Sequence, residues 1–282
     1  MKYRCFDVEI TDRIAHLVLS RGEDFNTMVP EFWRELPQIV REIDDEAKAR
    51  VIVLSSTGKH FSAGMDLSVF TAAQGDDSPD HPERGRRAAS LRQAVLDIQD
   101  SFSILERVRM PVLAAIQGGC VGGAVDLASA CDCRYASEDA FFVIQEINLG
   151  MTADVGTFPR LCHLMPQGWV RELAYSGRRL PAQKAKEIGL INEVLPSHAQ
   201  LLDHVMAVAK EIAEKSPLAV HGSKVMINYA RDHTIGDGLD YIATWQGGMY
   251  NPETDMREAF AARAAKRTPA YADLLPKRRT LL

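Results

Sequence analysis

The chain has 282 residues, enough to bury a large hydrophobic core and near the upper limit of a single domain. Apolar residues make up 46% and charged residues 25% of the sequence, an ordinary globular composition. A net charge of −5 and a pI near 5.9 argue against a nucleic-acid-binding surface, although a local basic site for a phosphorylated ligand is still allowed. No run of about 18 apolar residues occurs, so no membrane-spanning helix is predicted.

The two ends of the sequence predict a cytoplasmic protein. Residues 1–7 lack the apolar run of a secretory signal, and residues 279–282 are not the peroxisomal signal Ser-Lys-Leu. The five cysteines include Cys131 and Cys133, but no second Cys or His pair stands at zinc-finger spacing. We therefore expect buried free thiols and no metal site.

The N-terminal part of the chain predicts a hairpin, a helix and a buried strand. Residues 5–10 and 14–20 alternate apolar and polar side chains around a polar turn, which is typical of a β-hairpin. Residues 30–48 have helical periodicity, and residues 51–56 are a β-branched run typical of a buried strand. Residues 71–85, rich in glycine, proline and aspartate, predict a loop.

The middle of the chain alternates predicted helices and strands. Residues 86–109 predict a long helix, and residues 111–117 predict a buried strand that runs into a glycine-rich turn at 118–126. The remaining elements predicted in this part are a helix at 127–131 and strands at 133–137 and 141–145.

Only helices are predicted near the C-terminus. Strands with intervening helices, followed by a helical tail, predict an α/β core at residues 1–195 and an appended helical region at residues 196–282. The helices predicted in this region span residues 198–215, 217–231, 236–248 and 252–267.

Two glycine-containing turns follow two of the predicted strands. Residues 60–67 place Gly64 where the backbone can approach a ligand closely because no Cβ intervenes, but for this feature taken alone an ordinary tight turn is the better explanation. Residues 118–124 contain four glycines before a helix. Such turns often bind phosphate, but neither G-x-x-x-x-G-K-[ST] nor G-x-G-x-x-G is present. What remains is a helix N-terminus with free N–H groups that point at an anion.

Two turns of this kind can each direct one N–H group at the same oxygen atom. Such donors form an oxyanion hole, and each is worth about 3–4 kcal/mol in other enzymes. An enolate suits the hole, because full charge develops on its oxygen only as the proton leaves.

The two turns, in this order and separation, resemble those of the crotonase (enoyl-CoA hydratase/isomerase) superfamily. The resemblance covers nearly the whole chain and includes Phe-Ser-Ala-Gly-Met-Asp-Leu at 61–67, residues 118–126, Cys-Asp-Cys-Arg-Tyr at 131–135, and residues 141–150, 181–194, 216–217 and 266–269. It implies a spiral of repeated ββα turns, a C-terminal helical trimerisation region and an acyl-CoA thioester as ligand. It also implies that the N–H groups of Met65 and Gly123 form the hole.

The acids around the hole decide the reaction within this superfamily. Hydratases have glutamates at the positions of Asp126 and Glu146 and usually a glycine at that of Asp154. This chain keeps Glu146, has the shorter aspartate at 126 and adds Asp154. Together with Tyr-Ala-Arg-Asp-His at 229–233, these acids resemble the Δ3,5-Δ2,4-dienoyl-CoA isomerase branch.

The resemblance implies a role for each acid. Asp154 takes the C2 proton of a 3,5-dienoyl-CoA, Glu146 protonates C6, and Asp126 supports the geometry or charge near the reacting centre. The chemistry agrees, because the proton leaves near the thioester and one returns four carbons farther along, a distance that one side chain cannot easily span. Several acids in one apolar cleft also predict separated pKa values, with one carboxyl protonated and one ionised.

Each acid also has a purely structural explanation. Asp126 suits the first turn of a helix, Glu146 suits an exposed strand end, and Asp154 suits the N-cap of the next helix. Taken singly, these explanations are preferred. In the register of the superfamily we assign all three acids to catalysis.

The resemblance also implies where CoA binds. Arg21 is expected to contact pantetheine or phosphate, although residues 22–27 depart from the usual family pattern. Lys266 is expected to approach the CoA phosphates from a neighbouring subunit, and an ordinary solvated helix charge explains it equally well. The other expected substrate-binding positions, beside the hole, are Ala63, Gly64, Asp66 and Gly122.

Two other functions stay open. One is hydration of a 2-enoyl-CoA by Asp126 and Glu146, and the other is acyl-CoA binding without catalysis, against which the acidic pI and the three carboxylates argue. No separate cofactor is expected, because coenzyme A is part of the substrate. No nucleic-acid or membrane partner is expected, and a homotrimer or a dimer of trimers is implied by the resemblance alone.

Overall fold

A computed structural model describes residues 3–66, 68–69, 83–249 and 252–277. Its first elements are the antiparallel strands β1 (Phe6–Thr11) and β2 (Ile14–Leu19). Asp12 and Arg13 between them both have positive φ, 51° and 65°, as a two-residue turn matched to the twist of a hairpin requires. The predicted hairpin is confirmed.

A six-stranded sheet forms the centre of the fold. It contains β1, β2, β3 (Val51–Ser56), β4 (Val112–Ile116), β6 (Cys133–Ser137) and β9 (Glu193–Leu195), in that order. All neighbours after the first pair are parallel. Every residue of β3 and β4 is buried, as expected for parallel strands covered on both faces.

Helices cover both faces of this sheet. On one face, α1 (Pro30–Asp45) packs against α2 (Arg84–Arg107) through an aromatic cluster of Phe32, Trp33 and Phe102. On the other, α7 (His198–Ala213) buries Leu201, Val205 and Ala209 against the strands. Helix α7 follows residue 195 in the sequence but packs on the sheet formed by the earlier part of the chain. The division into two domains at residue 195 therefore stays a prediction.

A second, three-stranded sheet begins at the glycine-rich turn. Its strands are β5 (Gly119–Val121), β7 (Phe141–Val143) and β8 (Leu180–Pro181). Helix α3 (Gly123–Ser129) follows β5 directly, so the prediction that the helix spans 127–131 was wrong. The reason is Gly122, whose φ of 55° turns the chain sharply, so that Gly123 is already helical.

Three further helices, α4 (Thr157–Leu164), α5 (Gln167–Ser176) and α6 (Ala182–Glu187), were not predicted from the sequence. Beyond residue 195 the described part of the chain is helical, as predicted, with α7 followed by α8 (Pro217–Asp232), α9 (Ile235–Met249) and α10 (Asp255–Ala264). Most of the predicted loop at 71–85 lies outside the described residues. Within the described part of the chain, no helix is long and apolar enough to cross a membrane.

Candidate active site

The first glycine-containing turn, residues 60–67, lies between the backbone at Met28 and the second turn, residues 118–124. Met28 N–H donates to Gly64 O at 2.8 Å, and Asp66 N–H donates to Met28 O at 3.2 Å. These bonds flank Met65, so the N–H of Met65 itself points to the opposite side. On that side lies the second turn, which Ser62 joins by accepting from Val121 N–H at 3.1 Å.

The two turns touch where glycine is required. A Cβ on Gly64 would lie 2.5 Å from Val121 O and 3.2 Å from Gly123 N, and the φ of Gly64 is +84°. A Cβ on Gly123 would lie 3.8 Å from Met65 N. The N–H groups of Met65 and Gly123 therefore stand side by side. Gly123 is the first residue of α3, so its N–H has no partner within the helix.

Asp126 is fully buried in the first turn of α3, the helix that Gly123 begins. Its Oδ1 accepts a 2.7 Å hydrogen bond from the Thr157 hydroxyl. Its Oδ2 is buried without a partner among the described residues. Burial raises the pKa of Asp126 to about 6, against the opposing effects of the Thr157 hydrogen bonds and the nearby Arg160 charge.

Glu146 lies directly beside the second turn. It begins a short 3-10 helix, Glu146–Leu149, and a Cβ on Gly122 would lie 3.3 Å from its Oε1. Its Oε2 is buried and has no hydrogen-bond partner in the described part of the chain. Burial raises the pKa of Glu146 to about 7, and the negative charges of Asp126 and Asp154 add to the increase. A surface acid at a strand end is therefore the wrong explanation for Glu146.

Asp154 differs from the other two acids because its side chain is exposed. It lies on the wall of a cavity of about 490 Å³. The N-cap of α4 is Gly156, so the explanation of Asp154 as the helix cap was wrong. The charge of Asp154 raises the pKa of both Asp126 and Glu146, so the three predicted acids interact electrostatically. Neither Asp126 nor Glu146 lies on the wall of the cavity that Asp154 lines.

A cleft of about 420 Å³ opens on the outer side of the two turns. Ala63 is exposed on its wall, and the Arg179 guanidinium lies 4.2 Å from the centroid of the Phe141 ring there. The Asp66 carboxylate accepts from Thr27 Oγ1, on a distant segment, at 3.1 Å and from the N–H of nearby Ser68 at 2.9 Å.

The two predicted basic contacts with CoA lie in different surroundings. Arg21 is largely buried and closes the turn after β2, donating to Thr27 O at 2.6 Å and to Asp24 Oδ2 at 2.8 Å. Lys266 is exposed beyond the end of α10, and its N–H donates to Arg263 O at 3.2 Å. Among the described residues, no hydrogen bond joins either side chain to the two turns, but the Arg21 charge contributes to the lowered pKa of Asp66 in the first turn.

Comparison with known proteins decides the family. A model of the enoyl-CoA hydratase/isomerase family matches residues 9–273, nearly the whole chain. The chain belongs to this family. It is therefore an enzyme of the enoyl-CoA hydratase/isomerase type, and the predicted membership is confirmed.

Relatives point to one branch of the family. A protein of Arabidopsis thaliana named Delta(3,5)-Delta(2,4)-dienoyl-CoA isomerase, peroxisomal, is 39% identical over 261 residues, which are 93% of this chain and 93% of the relative. A mitochondrial protein of the same name from Mus musculus is 40% identical over 254 residues, covering 88% of this chain and 76% of the relative. The predicted resemblance to the dienoyl-CoA isomerase branch is confirmed.

Solved structures confirm the fold. The crystal structure of an enoyl-CoA hydratase from Bacillus anthracis has a TM-score of 0.84 and 31% identity, covering 95% of this chain and 99% of that one. A structure described as an enoyl-CoA hydratase from Geobacillus kaustophilus has a TM-score of 0.82 and 27% identity, and the match covers 96% of this chain and 99% of that one. The predicted crotonase-like α/β fold with C-terminal helices is therefore correct.

Two residues that fix the site of this family member were missed from the sequence. His60 Nδ1 accepts from Gly119 N–H at 2.9 Å and so ties the first turn to the second. Thr157 holds one oxygen of Asp126. His60 stands at the start of the first turn, which was a usable signal. No local pattern marks Thr157, because its partner is distant in sequence. In the described part of the chain, no cluster of three or more acidic, histidine or cysteine side chains could hold a metal ion.

Proposed function

We propose that this enzyme converts a 3,5-dienoyl-CoA into the 2,4-dienoyl-CoA, a reaction of the fatty-acid β-oxidation type. The observation that carries the proposal is Glu146, a carboxyl beside the oxyanion turn with a pKa of about 7 and a buried oxygen without a partner in the described residues. Such a carboxyl holds a proton near neutral pH and can donate it, as an isomerase requires. The names of the two relatives agree with this function.

The reaction begins with removal of a proton from C2. Asp154 accepts this proton, and the electron pair left behind is shared between the thioester oxygen and the conjugated chain. The N–H groups of Met65 and Gly123 stabilise the charge on the oxygen, which is greatest in the enolate. Glu146 then protonates C6, which leaves double bonds at C2 and C4. Asp154 afterwards releases its proton to solvent and Glu146 takes one up, so both acids return to their starting states.

Asp126 supports this cycle without contacting the leaving proton. Its carboxyl is held by the hydrogen bond from Thr157, and its charge, when ionised, raises the pKa of Glu146. It thereby helps Glu146 to keep its proton until C6 is ready to receive it.

The CoA part of the substrate is proposed to bind along the outer side of the two turns. Exposed Ala63 and the adjoining cleft support this location for the pantetheine and adenine. No separate cofactor is required, because the thioester itself stabilises the carbanion. The substrate-binding residues in this proposal are Arg21, Ala63, Gly64, Asp66, Gly122 and Lys266.

Hydration of a 2-enoyl-CoA is the second candidate. The effect of the Asp126 charge on the pKa of Glu146 favours it, because a hydratase needs two carboxyls that act on one water molecule. It leaves Asp154 without a role, which is why isomerisation is preferred.

Assaying purified enzyme with a 3,5-dienoyl-CoA and a 2-enoyl-CoA side by side separates the two functions. We expect isomerisation to exceed hydration in kcat/KM. Robust hydration with negligible isomerisation would overturn the proposal. Tight acyl-CoA binding without turnover of either thioester would support a binding protein instead.

A homotrimer or a dimer of trimers is proposed for the assembly. Exposed apolar side chains on α8, α9 and α10 support an interface there: Ile227, Ile235, Leu239 and Phe260. The mass of the particle in solution distinguishes three subunits from six. A cytoplasmic location stays a prediction.

A further inference from the structure

The backbone around Asp154 is held from two sides by long side chains. From α2, Gln99 Nε2 donates to the carbonyl oxygen of Asp154 at 2.6 Å. From α4, Arg160 Nη1 lies 3.4 Å from the carbonyl oxygen of Val155. A Cβ on Gly156 would lie 1.9 Å from that nitrogen, so the guanidinium fills space that only a glycine leaves free.

Arg160 is itself rigidly placed. Its Nε and Nη2 donate to Glu106 Oε2 at 3.1 and 2.8 Å, and Nη2 also donates to Ser103 Oγ at 3.0 Å. The other oxygen of Glu106 accepts from Arg231 of α8. The Arg160 and Glu106 side chains are only 11% and 19% exposed, so water competes little for these bonds.

The carboxylate of Asp154 has no such support of its own. No hydrogen bond to its side-chain oxygens occurs within the described residues, and the side chain is exposed. Because an aspartate is short, the position of its carboxylate follows the position of its backbone. A displacement of about 1 Å at a reacting group can cost a factor of about 10² in rate.

We propose that Gln99 and Arg160 are positioning residues that hold the Asp154 carboxylate at the C2 proton of the substrate. This inference rests on the proposed isomerase function. Neither residue contacts the reacting atoms. Both act through the backbone of residues 154–156, which links α2 and α4 to the base.

If Gln99 and Arg160 only stabilised the fold, their variants would differ in kinetics from variants that displace Asp154. Loss of stability lowers the fraction of folded enzyme and leaves the rate per folded molecule unchanged. Displacement of Asp154 slows proton removal from C2 in the folded enzyme, so kcat falls while KM, set by the CoA contacts, does not. Proton removal then limits turnover, and kcat shows a full primary isotope effect with substrate deuterated at C2.

The test compares Gln99→Ala and Arg160→Met with wild-type enzyme and with Arg107→Met. Arg107 is an exposed arginine of α2 paired with Asp100 on the surface, so it controls for loss of a charge and an ion pair. We expect kcat per folded enzyme to fall about 10- to 100-fold in the two variants, with KM within about twofold and the full isotope effect on kcat. The kcat of Arg160→Lys should lie between those of wild type and Arg160→Met, because one ammonium cannot reach Glu106, Ser103 and Val155 together. Arg107→Met should match wild type.

Asp154→Asn, measured in parallel, separates this inference from the function on which it rests. If Asp154→Asn isomerises normally, the proposed function fails. If Asp154→Asn is inactive while Gln99→Ala and Arg160→Met keep the wild-type kcat per folded enzyme, the function stands and the positioning role is overturned.

Discussion

The two sides of this active site present their carboxyls in opposite ways. Asp126 and Glu146 are held on the inner side, where burial raises their pKa values to about 6 and about 7. Asp154 is exposed on the wall of the separate cavity of about 490 Å³, and its backbone is held by Gln99. Burial favours a carboxyl that keeps a proton, and exposure favours one that is ready to accept it. In the proposed mechanism, this difference in environment distinguishes the acid, Glu146, from the base, Asp154.

The largest effect is expected from removing the acid on the buried side. Glu146→Gln keeps the size of the side chain but cannot deliver a proton, so kcat should fall about 10²- to 10⁴-fold with little change in KM. In wild-type enzyme, kcat should decline as the pH rises through about 7, because Glu146 loses its proton there. Steady-state kinetics across pH measure both. Glu138→Gln, at an exposed acid, should leave both unchanged, and a variant Glu146→Gln with near-normal kcat would exclude Glu146 as the acid.

The proposed oxyanion hole is tested by a substitution at Gly64. Gly64→Ala would place a Cβ 2.5 Å from Val121 O, so the two turns must separate and their N–H groups lose their common target. We expect a fall in kcat of about 10²-fold or more. Gly150→Ala is the matched control, since Gly150 also has a positive φ of 73° but its Cβ would meet nothing within 4 Å. Equal losses in the two variants would attribute the effect to backbone strain.

A smaller effect is expected at Thr157. In wild type, the hydrogen bond from Thr157 to Asp126 Oδ1 lowers the pKa of that carboxyl. Thr157→Val removes this bond, so the pKa of Asp126 should rise above 6. The native state of wild type already binds this proton more tightly than the unfolded chain does. Its free energy of unfolding therefore falls as the pH rises from about 4 to about 6.

In Thr157→Val, this decline should continue to higher pH, with a further loss of about 1 kcal/mol by pH 8. Denaturant unfolding at several pH values measures it. Thr11→Val, which removes only a surface hydrogen bond to Glu9, is the control. An unchanged pH dependence in Thr157→Val would show that Thr157 does not influence the Asp126 carboxyl.

Much of the fold could be predicted from the sequence because its signals are local. The alternation in β1 and β2 and the β-branched run of β3 directly reflect which faces are buried. The start of α3 could not be predicted this way. Glycine lowers helix propensity, and only the packing of the two turns forces Gly122 to positive φ and lets the helix begin at Gly123.

The candidate site was predicted less evenly. Asp126, Glu146 and Asp154 were found because their spacing resembles that of a known family. Their environments could not be predicted, because burial of Asp126 and exposure of Asp154 are properties of tertiary packing. The same holds for Thr157 and Arg160, whose partners are distant in the sequence.

The claim that Asp154 is the base distinguishing an isomerase from a hydratase is tested most directly by Asp154→Asn. Asparagine keeps the shape of the side chain but cannot accept the C2 proton. The account predicts that turnover of a 3,5-dienoyl-CoA falls about 10²- to 10⁴-fold while acyl-CoA binding is retained. Conversion of the 3,5-dienoyl-CoA to its 2,4-isomer at the wild-type rate would contradict it.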